Sequence, residues 1–317
     1  MNSSPALSPP TSLPVGPAGS GAAFGTFGEL LQGVLPGNRH FLVTFPIDRW
    51  SRAVFRFRDT PEIEVHPAGK RKSRQVARLV LDALGHRGGG VLHLATDLPE
   101  GKGLASSSAD LVATVRAIGA AAGTRFGPAT IESFLRHVEP SDGVMYDEIV
   151  LFHHREVRLG RRLGTLPPLR VLAHDEGGQL DTVRHNRRPV PFGAAEQHEY
   201  ARLVDTLGAA IADGDLSTVG QVATRSARLN APLRTHRHFA ELERARREVD
   251  GLGLVLGHSG TVLGILLPDD DPELDTKIDH VRAACAPLPG RMSVYRSLGA
   301  GRTWAPDDDK DGDKGAV

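Results

Sequence analysis

Leu98-Pro99-Glu100-Gly101-Lys102-Gly103-Leu104-Ala105-Ser106-Ser107-Ser108-Ala109 is the stretch around which the chain is organised. Ahead of it, residues 90–97 (GVLHLATD) are short and alternating enough to predict a strand. Behind it, residues 110–122 (DLVATVRAIGAAA) are Ala-rich and have helical spacing. Strand, glycine-rich turn and serine-opened helix predict a loop that presents backbone N–H groups at a helix N-terminus. Unpaired donors and the positive end of the helix dipole attract phosphate there. Gly101 and Gly103 let the backbone approach an anion with no Cβ in the way. The serines add hydroxyls that can bond a phosphate or ligate a metal. Serines at such a place also act as plain N-caps, and the turn taken alone leaves both readings open. A Walker A loop is excluded, because Gly101-Lys102 lacks the following Ser/Thr and the earlier glycine at the required spacing.

With 317 residues the chain can bury a large core, in one two-lobed unit or in two domains. Lys+Arg and Asp+Glu both number 38, and this balance leaves no footprint of a polyanionic partner, so nucleic acid is not expected. The single cysteine, Cys285, fits a reducing compartment and reads as apolar filler on a helix face. No apolar run is long enough to span a membrane. The first residues carry no basic region followed by an apolar segment, so no signal peptide is expected and the cytoplasm is the expected location. Residues 1–21, rich in Pro, Ser and Gly, read as a disordered lead-in, and 306–317 as a disordered, charged tail.

Between the tails, order is expected from Ala22. Residues 24–33 (FGTFGELLQG) place glycines at 25, 28 and 33 around the carboxylate of Glu29, which alone reads as a turn. Strands are expected at 39–45 and 52–58, with Asp48 between them as a candidate substrate contact. Helices are expected at 75–84 and from Pro128 to about residue 137, the latter holding Glu132. Pro140-Ser141-Asp142-Gly143 is ordinary turn chemistry by itself. Further strands are expected at 149–152, 170–174 and 292–297, and helices at 193–229 (broken near Gly214), 239–249 and 273–286. Residues 251–264 join two apolar runs through the polar turn His258-Ser259-Gly260-Thr261. No internal repeat is evident.

Three of these segments resemble the GHMP kinases, a family that includes galactokinase, homoserine kinase, mevalonate kinase and phosphomevalonate kinase. Pro99, Gly103, Leu104, Ala105, Ser106, Ser107 and Ser108 resemble the family's ATP-binding signature, Pro-x-x-x-Gly-Leu-Gly-Ser-Ser-Ala, with Ala105 in place of the second glycine of its Gly-Leu-Gly. Gly25, Gly28, Glu29 and Gly33 keep the spacing of its opening motif, although Phe24 and Thr26 depart from the usual proline and basic residue. Gly257, Ser259, Gly260, Thr261 and Gly264 resemble its closing glycine-rich motif. The segment Gly-Thr-x-Gly-Glu-Leu-x-Gln-Gly, with Pro-Ser-Asp followed by Met145-Tyr146, is similar to one branch, the L-threonine kinases of cobalamin side-chain assembly. The resemblance runs from about residue 22 to 300.

The resemblance implies an α+β fold in two parts. Residues 22–165 would form the N-terminal, ATP-binding domain, a ribosomal-protein S5-like half, and 166–305 a C-terminal, ferredoxin-like half. ATP and Mg²⁺ are the implied cofactors, and a small amino acid or other alcohol the implied partner; a homodimer is left open. Pro99, Gly101, Lys102, Gly103, Leu104, Ala105 and Ser106 to Ser108 would hold the nucleotide. Ser107 and Glu132 would ligate Mg²⁺, with Glu139 the alternative to Glu132. Asp142 would take the proton of the acceptor hydroxyl. Glu29, Asp48, Gly260 and Thr261 would contact the acceptor, with Glu29 or Asp48 meeting an ammonium group. L-Threonine is the acceptor this branch implies; homoserine, serine or another specialised-metabolite alcohol are alternatives within the family. A non-catalytic RNA-binding module is disfavoured by the neutral charge, and a catalytically dead ATP-binding regulator by the presence of Asp142.

Overall fold

The frame is a pair of long antiparallel strands in the computed structural model, which describes residues 16–178, 192–231, 233, 236–257 and 261–299. Strand β1 (Ala18–Leu35) and strand β2 (Arg39–Arg58) pair from Ala18 opposite Arg56 to Leu35 opposite Arg39. Order therefore starts four residues ahead of the expected Ala22, and the rest of the two tails expected to be disordered falls largely outside the described residues. Segments 39–45 and 52–58, expected as two strands, are one. The chain continues through Pro46, which sits opposite Thr26 where the register of β1 shifts on either side. Inside such a bulged stretch a residue without an N–H interrupts no regular ladder. Residues 24–33, read alone as a turn, are thus strand with bulges.

Strand β3 (Ile63–His66) runs parallel to strand β4 (Gly89–Thr96), and helix α1 (Arg71–Ala83) makes the crossover between them. Helix α2 (Ser106–Ala121) follows the opening stretch and is buried on nearly every face. Its bed is prepared by small residues in β1. A Cβ on Gly21 would stand 2.5 Å from Ala117 N, and one on Gly19 would stand 2.1 Å from Ala121 N. Glycine on the strand and alanine on the helix therefore let the two backbones approach. Helix α3 (Pro128–Leu135) starts on its proline as expected. Strand β5 (Ile149–His153) pairs with β2 and with strand β6 (Arg158–Gly164), whose arginines hid it from the hydrophobic pattern.

The remaining sheet is formed by strand β7 (Leu169–Asp175), strand β8 (Gly253–Leu256), strand β9 (Val262–Pro268) and strand β10 (Arg291–Arg296). Helices α4 (Ala194–Asp213), α5 (Leu216–Asn230), α6 (Phe239–Glu248) and α7 (Leu274–Cys285) lie at or near their expected positions. The strand order is β10-β7-β9-β8-β1-β2-β4-β3, and β8 meets β1 at Glu29 opposite Leu256. A large core lies between α1, α2, α4 and the long strands, and a smaller one joins β8 and β9 to α6 and α7. Cys285 is buried in the smaller core, as filler. No helix among the described residues is long and apolar enough to cross a membrane.

Candidate active site

Within five residues of the loop between β4 and α2, three lie in the left-handed region: Gly101 (φ 71°), Gly103 (φ 72°) and Ala105 (φ 56°). Ala105 is the N-cap of α2 and makes no side-chain cap, so Ser106 to Ser108 form the helix's first turn. The N-cap reading of the serines is thereby overturned: the N-cap is Ala105, whose side chain offers no acceptor to the first N–H groups of the helix. The loop is tied to β1 by Thr26 N–H to Leu104 O (3.2 Å) and Gly28 N–H to Gly103 O (3.3 Å). Packing accounts for the glycines of the opening motif. A Cβ on Gly25 would meet Leu104 O at 2.5 Å, one on Gly28 would meet Leu256 O at 2.6 Å, and one on Gly33 would enter the Tyr200 ring.

A cavity opens over this loop, walled by Gly101, Gly103 to Ser108, Lys72 at the start of α1, Glu29 from β1, the strap 139–142, and His154 just after β5. Ser107 Oγ donates to Glu139 Oε1, and Lys72 Nζ donates to Glu139 Oε2. One helical position further on, Ser108 Oγ donates to Asp142 Oδ2 (3.2 Å) and accepts from Asp142 N–H (3.0 Å). Ser141 N–H donates to His154 O (3.1 Å), so the strap is held from both sides. Asp142 keeps part of its surface toward the cavity while protein surrounds it. Burial pushes its carboxyl pKa up to about 6; the Ser108 hydrogen bond opposes this and the nearby charge of Glu139 adds to it.

A wider cavity shares Lys72, Gly101, Ser106 and Ser107 with the first and extends past Gly69, Lys70, Glu100 and Asp110. Lys70 Nζ donates to Asp110 Oδ2 at 2.6 Å and is also paired with Glu100. These carboxylates raise its pKa against the opposing effect of burial.

Several expected site residues stand elsewhere. Glu132 is buried away from the loop, where its Oε1 accepts from Tyr146 OH (2.7 Å) and Leu159 N–H (2.8 Å). It is a structural acceptor, and Glu139 is the carboxylate beside Ser107. Asp48 accepts from Trp50 Nε1 (2.8 Å) and faces a separate cavity with Arg296 and Leu298. Pro99 is exposed and lines neither loop cavity. Lys102 points to the end of β7, where its ammonium meets Asp175 Oδ2 (2.8 Å) and Gly178 O (2.8 Å). Thr261 donates to the same Asp175 (2.7 Å) and does not line the loop cavity. Gly260 lies outside the described residues. Lys72 and His154 were not singled out in the sequence. Two histidines, His153 and His154, directly after the apolar run 149–152 are the available signal.

Residues 71–145 match the family described as GHMP kinases N terminal domain. They span α1, the loop, α2, α3 and the strap. This segment is similar to the N-terminal domain of the GHMP kinases. The whole chain has the GHMP kinase fold: it superposes on a homoserine kinase from Cytophaga hutchinsonii with a TM-score of 0.70 at 18% identity, covering 93% of this chain and 98% of that one. An L. major mevalonate kinase superposes with a TM-score of 0.65 at 17% identity, covering 90% and 96%. In sequence, an L-threonine kinase of Salmonella typhimurium is 28% identical over 246 residues, 76% of this chain and 80% of that protein. An L-threonine kinase of Citrobacter freundii is 26% identical over 261 residues, 78% and 86%. Within the matched segment lie Lys72, the three serines, Glu139 and Asp142. Glu29 and His154 are supplied to the same cavity from outside it.

Proposed function

We propose that the chain is an ATP-dependent kinase that phosphorylates the side-chain hydroxyl of a small amino acid, L-threonine first. The observation that carries this reading is Asp142, a carboxylate on the wall of the loop cavity bonded to Ser108 in the first turn of α2, where burial pushes its pKa up to about 6. A general base performs best with a pKa near the working pH, and carboxylates reach that range through burial. The kinship with two L-threonine kinases supports the choice of acceptor.

Phosphoryl transfer depends mainly on positioning and charge neutralisation. In this reading the N–H groups of residues 103–108 hold the phosphates, and the nucleoside lies in the wider cavity beside Lys70 and Asp110. Ser107 and Glu139 fit Mg²⁺, because both offer hard oxygen atoms on one wall and the ion keeps most of its shell for phosphate and water. When bound, the ion neutralises charge on the phosphates. Lys72 holds the second oxygen of Glu139 and fixes its orientation. Asp142 orients the acceptor hydroxyl and accepts its proton as the oxygen attacks the terminal phosphorus and ADP leaves. Glu29 meets the acceptor's ammonium group.

The test is ADP release with L-threonine, L-serine, L-homoserine and mevalonate, with the product identified by mass spectrometry. O-Phospho-L-threonine is the expected product. An active enzyme that phosphorylates another alcohol and neither threonine nor serine would overturn the acceptor while leaving the kinase reading in place.

A further inference from the structure

The loop that opens on Glu100 passes through three left-handed residues before α2 begins, and a glycine-rich stretch of this kind loses much conformational freedom when it is held still. Its middle is tied to β1 through Gly103 and Leu104. Its two ends meet on one side chain, that of Lys70 at the N-cap of α1. Lys70 Nζ donates to Glu100 Oε1 at the loop's entrance and to Asp110 Oδ2 (2.6 Å) in α2, beyond the loop's exit. Asp110 is fixed in turn by β2, because Ser51 Oγ donates to its other carboxylate oxygen, Oδ1. The side chains are 4% exposed at Asp110, 15% at Lys70 and 66% at Glu100. Lys70 is therefore rooted at its buried bond to Asp110 and reaches outward to catch an exposed carboxylate. One cation set against two carboxylates leaves the trio net negative, so its charge is already spent and it makes a poor counter-charge for phosphate.

We infer that Lys70 is a positioning residue that staples the phosphate loop: its ammonium joins Glu100 to Asp110, closes residues 101–109 into a ring against α1 and β2, and so holds the loop's N–H groups in the arrangement that receives a nucleotide's phosphates. The inference rests on the nucleotide reading of the loop given above and names the residue that maintains its shape. A ring already closed in the free protein has less freedom left to lose when the nucleotide binds, and such preorganisation shows as affinity. The other duty open to a lysine beside this loop is direct contact with phosphate. The two duties differ in sign at Glu100. For a phosphate ligand, removing Glu100 frees the ammonium and takes a negative charge from the rim, and the nucleotide binds more tightly. For a staple, removing Glu100 opens the ring, and the nucleotide binds more weakly.

The experiment measures binding of the non-hydrolysable nucleotide β,γ-methylene-ATP, with Mg²⁺ and no acceptor, to the full chain by calorimetry. Glu100→Ala is expected to weaken binding by about two- to fivefold, the worth of a partly exposed ion pair. Its melting temperature should move by no more than about 2 °C, while amide exchange of residues 101–108 quickens in the nucleotide-free protein. Lys70→Arg, which can bridge the same two carboxylates, is expected to keep the affinity within about twofold of wild type. Lys70→Met should weaken binding at least as much as Glu100→Ala, and adding Glu100→Ala to it should bring no further loss, because both open one staple. Affinity unchanged or increased in Glu100→Ala, or losses that add in the double variant, overturns the inference. If Lys70→Met does not fold, since it leaves Asp110 buried without its cation, Glu100→Ala alone decides. A wild-type protein that binds no nucleotide overturns the kinase reading itself, a different outcome from a Glu100→Ala protein that binds it undiminished.

Discussion

Asp142 and Glu139 stand three positions apart on one strap, bonded to consecutive serines of α2, and the pairing assigns them different duties. With its pKa pushed from 3.8 up to about 6, Asp142 is ionised only above that pH. Activity is therefore expected to rise through pH 6 in a pH–rate profile. Asp142→Asn should lower kcat by about 10²–10⁴-fold while ATP binding, measured by calorimetry, survives. The same substitution acts on stability with a definite sign. A raised carboxyl pKa means that the folded state binds the proton more tightly than the unfolded chain does, so the ionised group costs stability above pH 6 and not below pH 3.8. The cost is up to about 3 kcal/mol at 1.36 kcal/mol per pH unit. Asp142→Asn should accordingly melt higher than wild type at pH 8, and the difference should shrink toward pH 4. For the metal, Glu139→Gln is expected to raise the Mg²⁺ concentration for half-maximal rate by about tenfold or more. Glu132→Ala is expected to leave that dependence in place and lower the melting temperature, because it removes the acceptor of Tyr146 and Leu159.

The loop and helix α2 work as one element, and its left-handed residues set its shape. Gly103→Val places a β-branched side chain at φ 72°, where an L residue is strained by about 1–2 kcal/mol, and crowds the phosphates. Nucleotide affinity should fall in a protein that still folds; unchanged affinity by calorimetry would remove the loop from the nucleotide site. The opposite change is expected at the N-cap. Ala105 already bears a Cβ at φ 56°, so Ala105→Gly relieves that strain at a smaller entropic cost. It should raise the melting temperature by about 1–2 °C. A lower melting temperature would mean that the Ala105 methyl group, which packs on the core, contributes more than its backbone costs.

At the scale of the whole molecule, strands β7 to β9 are joined to β1 and to the loop close to the site. β8 joins β1 at Glu29, and Lys102 of the loop reaches Asp175 of β7, which also accepts from Thr261 at the start of β9. The partners of this ion pair are 17% and 27% exposed, so its removal should cost about 1–2 kcal/mol, between surface and buried pairs. Lys102→Met is expected to speed amide hydrogen exchange in residues 253–257 and 261–268 and in the loop itself, more than in β4 or α1. Uniform exchange across the chain would show that the pair does not hold the loop to these strands.

Much of this was legible in the residues alone. The strand–loop–helix, most of the later helices and the loop serines follow from periodicity and turn chemistry, which are local, and Asp142 and the GHMP kinase fold from motif resemblance. The glycines at 25, 28 and 33 are visible as a motif, but their reasons are not: each faces a backbone or a ring from another part of the chain, and only the folded packing brings those atoms within 2.6 Å. Tertiary structure alone decided which carboxylates reach the site. The family resemblance favoured Glu132 over Glu139, and the acceptor it implies left Asp48 a candidate beside Glu29. Yet a helix's orientation turns Glu132 toward Tyr146, and the continuity of β2 carries Asp48 to another cavity. Side chains distant in sequence converge through strand pairing and helix packing, and a one-dimensional pattern carries no distance across a sheet. For that reason the chain's sequence determined the fold and the kind of chemistry, and its folding decided the partners of each charge.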